Sequence, residues 1–187
     1  VISDEIYEKL LYEGTHKSIA SFNEDIKDLT IVVNGVAKAY AMTGWRIGYT
    51  ACKKEIAKSM SNFQSHATSN PNTIAQYATI AALNAPEDTL KEMVEAFKER
   101  RDFMVDKINS IENLSCLKPQ GAFYVMVNIG KLLGKTLNGK EIKNSIDFAD
   151  YLLDDAKVAV VPGIGFGNDN YIRLSYATSL ENIKEGL

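Results

Sequence analysis

The sequence has few of the residues that mark metal sites, disulfide frameworks or nucleic-acid-binding surfaces. Its 187 residues include only two cysteines and two histidines, and neither pair has the close spacing of a metal or redox motif. Basic residues do not outnumber acidic ones, and the net charge is -3, so electrostatics give no support for nucleic-acid binding. No uncharged apolar stretch is long enough to span a membrane. We therefore expect a cytoplasmic protein without metal, nucleic-acid or membrane partners, in which Cys52 and Cys116 are buried, reduced thiols.

Apolar β-branched runs alternate with segments of helical periodicity along the chain. Strands are predicted at 28–34, 46–52, 114–118, 122–128, 158–161 and 171–177, and helices at 55–67, 72–83, 88–111, 145–156 and from about 179. Strands interleaved with helices are typical of an α/β layered fold. The break in periodicity at 84–87 predicts a domain boundary, which divides the chain into residues 1–86 and 87–187.

Both ends of the sequence are unusual for a complete protein. The first residue is Val1 rather than methionine, and residues 1–3 look like the end of a strand that is entered from upstream. At the other end, Leu187 lies inside the helix predicted to begin near Ser179. We therefore expect the chain to be a piece of a longer protein, truncated at both ends.

Lys38 lies in the segment GVAKAYAMTGWRIG, among small and apolar residues. Such surroundings solvate an ammonium group poorly and favour the free amine, which is the form that attacks an aldehyde. Arg46 follows eight residues later beside glycines, and a planar guanidinium is suited to bidentate binding of phosphate. On spacing alone, a surface lysine with a structural arginine remains the simpler interpretation.

The whole string from Gly35 to Gly48 resembles the lysine signature of class I pyridoxal-phosphate (PLP)-dependent aminotransferases, the aspartate aminotransferase-like members of PLP fold type I. That signature has small residues three before and directly before the lysine, and an arginine eight after it. The resemblance implies that Lys38 is the Schiff-base lysine and later transfers a proton, and that Arg46 binds the cofactor phosphate. Ala37 departs from many family members, which have a serine there, so one hydroxyl near the phosphate is missing.

Two further segments match the same family. Asp4 and Tyr7 stand at a predicted strand end, about thirty residues before the lysine. By resemblance, Asp4 pairs with the pyridine nitrogen of PLP and Tyr7 lies beside its O3′. Arg173 lies in YIRLSYATS, where strand alternation places it on the face of Tyr171 and Ser175. An arginine in such an apolar strand needs an anionic partner: an acidic side chain or, as the resemblance implies, the α-carboxylate of the substrate.

The resemblance covers nearly the whole chain and sets expectations for the protein. It assigns residues 1–86 to the C-terminal part of a large PLP-binding domain, and residues 87–187 to a small C-terminal α/β domain. It implies transfer of an amino group between an amino acid and a 2-oxo acid, with a homodimer as the full-length assembly. The phosphate loop and the aromatic residue that stacks on the cofactor ring would lie upstream of Val1. We therefore expect this chain alone to be inactive.

Two other functions remain compatible with the sequence. A carbon–sulfur lyase of the same fold would share the cofactor-binding residues, and a MocR-type transcription regulator would use an aminotransferase-like domain as a sensor. The amino-acid substrate is also open, because Ser65 occupies the position of an arginine that binds the side-chain carboxylate in some aspartate-specific relatives. Aspartate, aromatic and small neutral amino acids are all compatible.

Overall fold

The computed structural model describes the backbone of all 187 residues and every side chain except that of Glu87. Its contacts divide the chain into two compact units, Val1–Val94 and Glu95–Leu187. The predicted boundary after residue 86 lies eight residues before this division and stays a prediction. Among the described residues, no helix combines the length and apolar character needed to cross a membrane.

The first unit contains a three-stranded mixed sheet. Its strands are β1 (Ile2–Asp4), β2 (Ile31–Gly35) and β3 (Gly48–Ala51), and its helices are α1 (Glu24–Asp28), α2 (Lys54–Ala67) and α3 (Thr73–Leu83). β2 is central: it pairs parallel with β1 and antiparallel with β3. A further helix, α4 (Lys91–Ser110), begins in the first unit and continues into the second.

The second unit contains a four-stranded antiparallel sheet. Its elements are β4 (Ser115–Cys116), β5 (Tyr124–Asn128), the hairpin β6 (Thr136–Leu137) and β7 (Lys140–Glu141), α5 (Ser145–Tyr151), β8 (Val161–Pro162), β9 (Tyr171–Ser175) and α6 (Leu180–Gly186). The strand order is β4-β5-β9-β8, so β5 and β9 form the centre. Val125 and Val127 on β5 and Ile172 on β9 are at most 2% exposed, and they pack the inner face.

Side-chain caps begin four of the helices. Asn23, Asn72 and Asn144 each accept a backbone N–H bond from the first turn of α1, α3 and α5, and Ser179 does the same for α6. Short polar side chains satisfy N–H groups that have no partner inside the helix, so these residues fix where each helix starts. In particular, α3 begins one residue after Asn72, rather than at that residue as the sequence predicted.

Three local features differ from the sequence-based expectations. The helix predicted to end at residue 156 is α-helical only to Tyr151 and continues as a single π turn, Leu152–Ala156. α4 is preceded by a 3-10 turn at Glu87–Leu90, so it starts later than predicted. Cys52 and Cys116 are half-buried rather than buried, and they are not paired with each other.

Candidate active site

One edge of the first unit's sheet gathers the loop residues that the sequence singled out. Since β1 and β2 are parallel, their carboxyl ends meet at the same edge, and the antiparallel β3 begins there. Asp4 ends β1, Lys38 follows β2, and Arg46 precedes β3. In α/β sheets, ligands commonly bind outside the carboxyl ends of parallel strands, which makes this edge a candidate site.

A pocket of about 470 Å³ opens at this edge, and its walls include Asp4, Tyr7, Lys38 and Arg46. The structure thus brings together all four residues predicted to hold the cofactor. Asn34 also lines the pocket, from the end of β2, and the sequence analysis did not single it out. Its side-chain Oδ1 accepts a 2.7 Å bond from the N–H of Gly35, so it shapes the start of the loop that carries Lys38.

Lys38 lies in a turn between two anchored neighbours. Val36 is fully buried and Ala39 is 3% exposed, whereas Lys38 itself is half-buried. The N–H of Ala41 donates to the carbonyl of Lys38, and Ala41 has the left-handed φ of 53°. The backbone of the turn is therefore anchored on both sides of Lys38, while Lys38 itself lines the pocket.

Asp4 and Tyr7 are presented by the chain reversal after β1. Oδ1 of Asp4 accepts a 3.2 Å bond from the N–H of Ile6, and the carbonyl of Tyr7 accepts from the N–H of Leu10. Leu10 is fully buried and anchors the turn. The exposed Asp4 and the half-buried Tyr7 consequently both line the pocket.

Arg46 is held in an uncommon backbone conformation. Its φ of 55° is left-handed, and its Nη1 donates a 2.9 Å bond to the carbonyl of Thr43 in the preceding 3-10 turn. A non-glycine residue in this region costs about 1–3 kcal/mol, and such strain often lies at ligand sites. Gly35 at the end of β2 and Gly48 at the start of β3 let these two chain segments approach each other closely. A Cβ on Gly35 would lie 3.0 Å from the carbonyl oxygen of Ile47.

A buried carboxylate supports the turn that carries Asp4. Glu5 is 6% exposed and accepts bonds from Ser3, Ser18 and Nε2 of His16, the last at 2.8 Å. Burial raises the pKa of Glu5, but these hydrogen bonds and the nearby His16 outweigh it and hold the pKa below its usual value. The sequence motifs did not predict this network.

The same network brings a group of possible metal ligands together. Glu5, Glu8 and His16 each place one ligand atom within 4.8 Å of the others, although the sequence spacing made His16 look isolated. Both oxygens of Glu5 already accept hydrogen bonds from the protein. Those bonds explain the cluster as structural support for the loop after β1.

Arg173 lies in the second unit, on β9. It pairs with Met126 of β5, on the face opposite the buried Ile172, which agrees with the predicted strand alternation. Its guanidinium carbon lies 4.3 Å from the ring centroid of Tyr124 and 4.5 Å from that of Phe166. Among the side chains that the structure describes, no carboxylate forms an ion pair with Arg173. An acidic partner in a salt bridge was one expectation for Arg173. Two aromatic rings lie beside its guanidinium instead.

The loop that carries Phe166 is tightly fixed. A Cβ on Gly163 would lie 2.2 Å from the carbonyl oxygen of Tyr171 and 2.3 Å from that of Asn168, so only glycine fits. Ser145 is fully buried, donates to Asp169 and accepts from the N–H of Ile164. The hydrogen bonds that Asp169 accepts from the hydroxyl and the backbone N–H of Ser145 hold the pKa of its carboxyl below the usual value. The segment Gly163–Phe166 is therefore a packed 3-10 turn that follows β8.

The residues of the first pocket fit the chemistry of PLP. The cofactor presents a phosphate, a pyridine nitrogen, a phenolic oxygen and an aldehyde, and the pocket offers a guanidinium, a carboxylate, a phenol and an amine. Its volume also falls within the range of about 300–1,000 Å³ that is usual for small-ligand sites. Each of these four groups of the cofactor therefore has a chemically suitable side chain in the pocket.

Comparison with known proteins shows which family this chain resembles. The whole chain, residues 1–187, matches the family described as aminotransferase class I and II. Aspartate aminotransferase of Rhizobium meliloti is 49% identical over all of this chain and 46% of its own length. A crystal structure of aspartate aminotransferase from Rhizobium meliloti superimposes with a TM-score of 0.95 at 48% identity, over 99% of this chain and 47% of that one. The crystal structure of an aromatic aminotransferase from Pyrococcus horikoshii gives 0.89 at 37% identity, over 99% of this chain and 48% of that one.

The chain belongs to the class I and II aminotransferase family. The resemblance drawn from Gly35–Gly48 is thereby confirmed, and so is the α/β fold class of PLP fold type I. Members of this family are in general PLP-dependent. The chain spans about half the length of the curated relatives it matches.

Proposed function

We propose that the protein carrying this sequence is a PLP-dependent aminotransferase, which moves an amino group between an amino acid and a 2-oxo acid. The observation that carries the proposal is the single pocket lined by Asp4, Tyr7, Lys38 and Arg46. Family membership supports it, because the relatives described above are named as aminotransferases. These names favour transamination over the carbon–sulfur lyase and the MocR-type sensor.

Each of the four side chains has a role that its chemistry supports. Arg46 binds the phosphate through its planar guanidinium. Asp4 pairs with the protonated pyridine nitrogen, and Tyr7 donates to the phenolic oxygen. When bound, PLP supplies an aldehyde that takes up the amino group and a ring that withdraws electrons from the substrate α-carbon.

Lys38 is the proposed catalytic residue. Its amine holds the cofactor before substrate arrives and then moves a proton on and off the substrate as a general acid and base. The buried Val36 and Ala39 anchor the turn that carries it, and Lys38 lines the pocket. Arg173 is the proposed ligand of the substrate α-carboxylate, which would orient the bond to the α-proton.

Substrate, assembly and location are also proposals. Aspartate is the first amino donor to test, since relatives at 47–49% identity are named aspartate aminotransferase. The exposed Ser65 offers no cation for a side-chain carboxylate, so aromatic and neutral amino acids belong in the same assay. We propose a homodimer for the full-length protein, and cytoplasmic location stays a prediction from the cysteine content. We also propose that this chain alone does not transaminate, and turnover by it with added PLP would contradict this.

A titration of the chain with PLP tests the role of Lys38. We expect wild type to give the visible absorption band of lysine-bound PLP, and borohydride reduction followed by peptide mass spectrometry to place the cofactor on Lys38. Lys38→Ala should lose both signals, because no other lysine lines the described pocket. Lys58→Ala, a change at an exposed position on α2, should retain both. Labelling of Lys38→Ala equal to that of wild type would reject the assignment.

A further inference from the structure

We propose that Tyr124 and Phe166 are positioning residues, which hold the guanidinium of Arg173 so that its edge faces a carboxylate. The inference rests on the proposed function, because it concerns the residue proposed to bind the substrate carboxylate. It adds two residues that neither the sequence motifs nor the relatives' names assign to the reaction.

Two aromatic rings lie close to the guanidinium of Arg173. The ring centroids of Tyr124 and Phe166 lie 4.3 and 4.5 Å from its central carbon, which is within cation–π distance for both. Aromatic rings contact the flat faces of a guanidinium, whereas a carboxylate binds its edge through two parallel N–H bonds. The two kinds of contact are therefore compatible, and the rings restrict the plane in which the carboxylate can bind.

Both rings are supplied by fixed backbone. Tyr124 lies on the central strand β5, where it pairs with Ser175 of β9, and its ring packs 4.6 Å from that of Phe123. Phe166 is held by the Gly163 turn and by the bond from the Ile164 N–H to buried Ser145. Positioning groups act well when their own supports are rigid, which is the case for both.

The rings would strengthen carboxylate binding in two ways. They exclude water from the faces of the guanidinium, and a charge pair is stronger where the effective dielectric constant is lower. They also restrict the rotamers of Arg173 before any ligand arrives, so less side-chain entropy is lost on binding. Removal of either ring should therefore weaken carboxylate binding without removing the cation itself.

Nitrogen-15 NMR of the arginine side chains of this chain tests the proposal directly. Propionate is the probe, and propionamide is its uncharged analogue of the same size. Arg173→Lys identifies the Arg173 Nε–H signal by its disappearance. In wild type we expect a ring-current-shifted signal that moves with propionate and not with propionamide.

The ring variants should then separate positioning from charge. Tyr124→Leu and Phe166→Leu are expected to lose part of the ring-current shift and to weaken propionate binding about threefold to tenfold each. Tyr124→Phe should restore both values, because it restores the ring. Tyr171→Leu is the matched control, since Tyr171 lies on the same face of β9 but no cation–π contact joins it to Arg173 among the described side chains.

The outcomes distinguish this inference from the proposed function. If the wild-type Arg173 signal does not respond to propionate, the carboxylate-binding role fails and the inference fails with it. If wild type responds but both leucine variants bind propionate as tightly as wild type, only the inference is overturned. Since Phe166 is 49% exposed, Phe166→Leu should stay folded and keep the test decisive if Tyr124→Leu does not fold.

Discussion

At the scale of single residues, Glu5 is the carboxylate on which the pocket's first turn depends. It is next to Asp4 in the chain but points into a different environment, where it is 6% exposed and meets His16, Ser18 and Ser3. A buried carboxylate is costly unless hydrogen bonds compensate for the lost water. Here they more than compensate, because the pKa of Glu5 is lowered despite burial.

Glu5→Gln should reduce the free energy of unfolding at neutral pH by about 1–3 kcal/mol, since Ser3, Ser18 and His16 lose a charged acceptor in a part-buried network. The pKa of Glu5 is lowered on folding, so its stabilisation is complete above the ordinary pKa of 4.5 and is lost as pH falls through the lower folded value. Urea unfolding at pH 7 and in steps below pH 4.5 should therefore show a shrinking difference between variant and wild type.

Glu24→Gln provides the control for this series. Glu24 is exposed and forms a surface ion pair with Lys27, so its replacement should change stability little at any pH. A Glu5→Gln effect that stays constant from pH 7 to acid would argue against the lowered pKa of Glu5.

The site residues differ in how far the sequence predicts them. Lys38, Arg46, Asp4 and Tyr7 lie within short motifs with fixed spacing, so their convergence in one pocket follows from strand order and the resemblance. The pair formed by Glu5 and His16 could not be predicted, because it depends on how the loop between residues 5 and 16 returns to the sheet. Arg173 and the two rings beside it come from three separate segments, and no periodicity connects them.

At the scale of elements, the turn between β8 and β9 depends on one glycine. Gly163 has no space for a side chain, since two carbonyl oxygens would lie within 2.3 Å of a Cβ. The same turn carries Phe166 and is bonded to Ser145 at the start of α5. The start of α5, the turn between β8 and β9, and the position of Phe166 therefore all depend on the absence of a side chain at Gly163.

Gly163→Ala should destabilise the second unit by several kcal/mol, because backbone atoms rather than flexible side chains must move. Gly165→Ala, two residues later, is the matched control, since a Cβ there would have no neighbour within 4 Å. Thermal unfolding of both variants by circular dichroism checks the difference. Equal melting temperatures for the two variants would show that the turn can relax without cost.

Element positions were predictable where a cap or a long periodicity marks them. α2 and α3 lie close to their predicted bounds. The hairpin of β6 and β7 was not predicted, although Asn138 and Gly139, with φ of 46° and 84°, are a strong hairpin turn pair. The π turn after α5 was beyond prediction, since its hydrogen-bond pattern has no distinct residue signature.

At the scale of the whole molecule, the buried apolar side chains are unevenly distributed. Thirteen of those that the structure describes lie in the second unit and only four in the first. α2 has no buried residue, and Phe63 on α2 and Tyr77 on α3 are 78% and 71% exposed. Apolar burial is the main favourable term in folding, so the second unit should be the more stable of the two.

Amide hydrogen exchange of this chain should show that difference. Backbone amides in the centre of β5 and β9 are expected to exchange roughly tenfold or more slowly than those in the middle of α2, after correction for intrinsic rates. The reason is that local opening of α2 exposes little additional apolar surface. Protection in α2 equal to that in β5 would contradict the expected order of stability.

The arrangement of strands at the pocket has a thermodynamic consequence. Asp4 closes β1 and Arg46 leads into β3, and these two edge strands contact each other only through β2. A molecule held by both residues would act as a cross-link over the sheet, and by mass action its binding free energy would add to that of folding. At a hundred times the dissociation constant this linkage contributes about 2.7 kcal/mol. Occupancy of the pocket would then raise the melting temperature of the first unit. The cofactor would stabilise the fold as well as take part in the reaction.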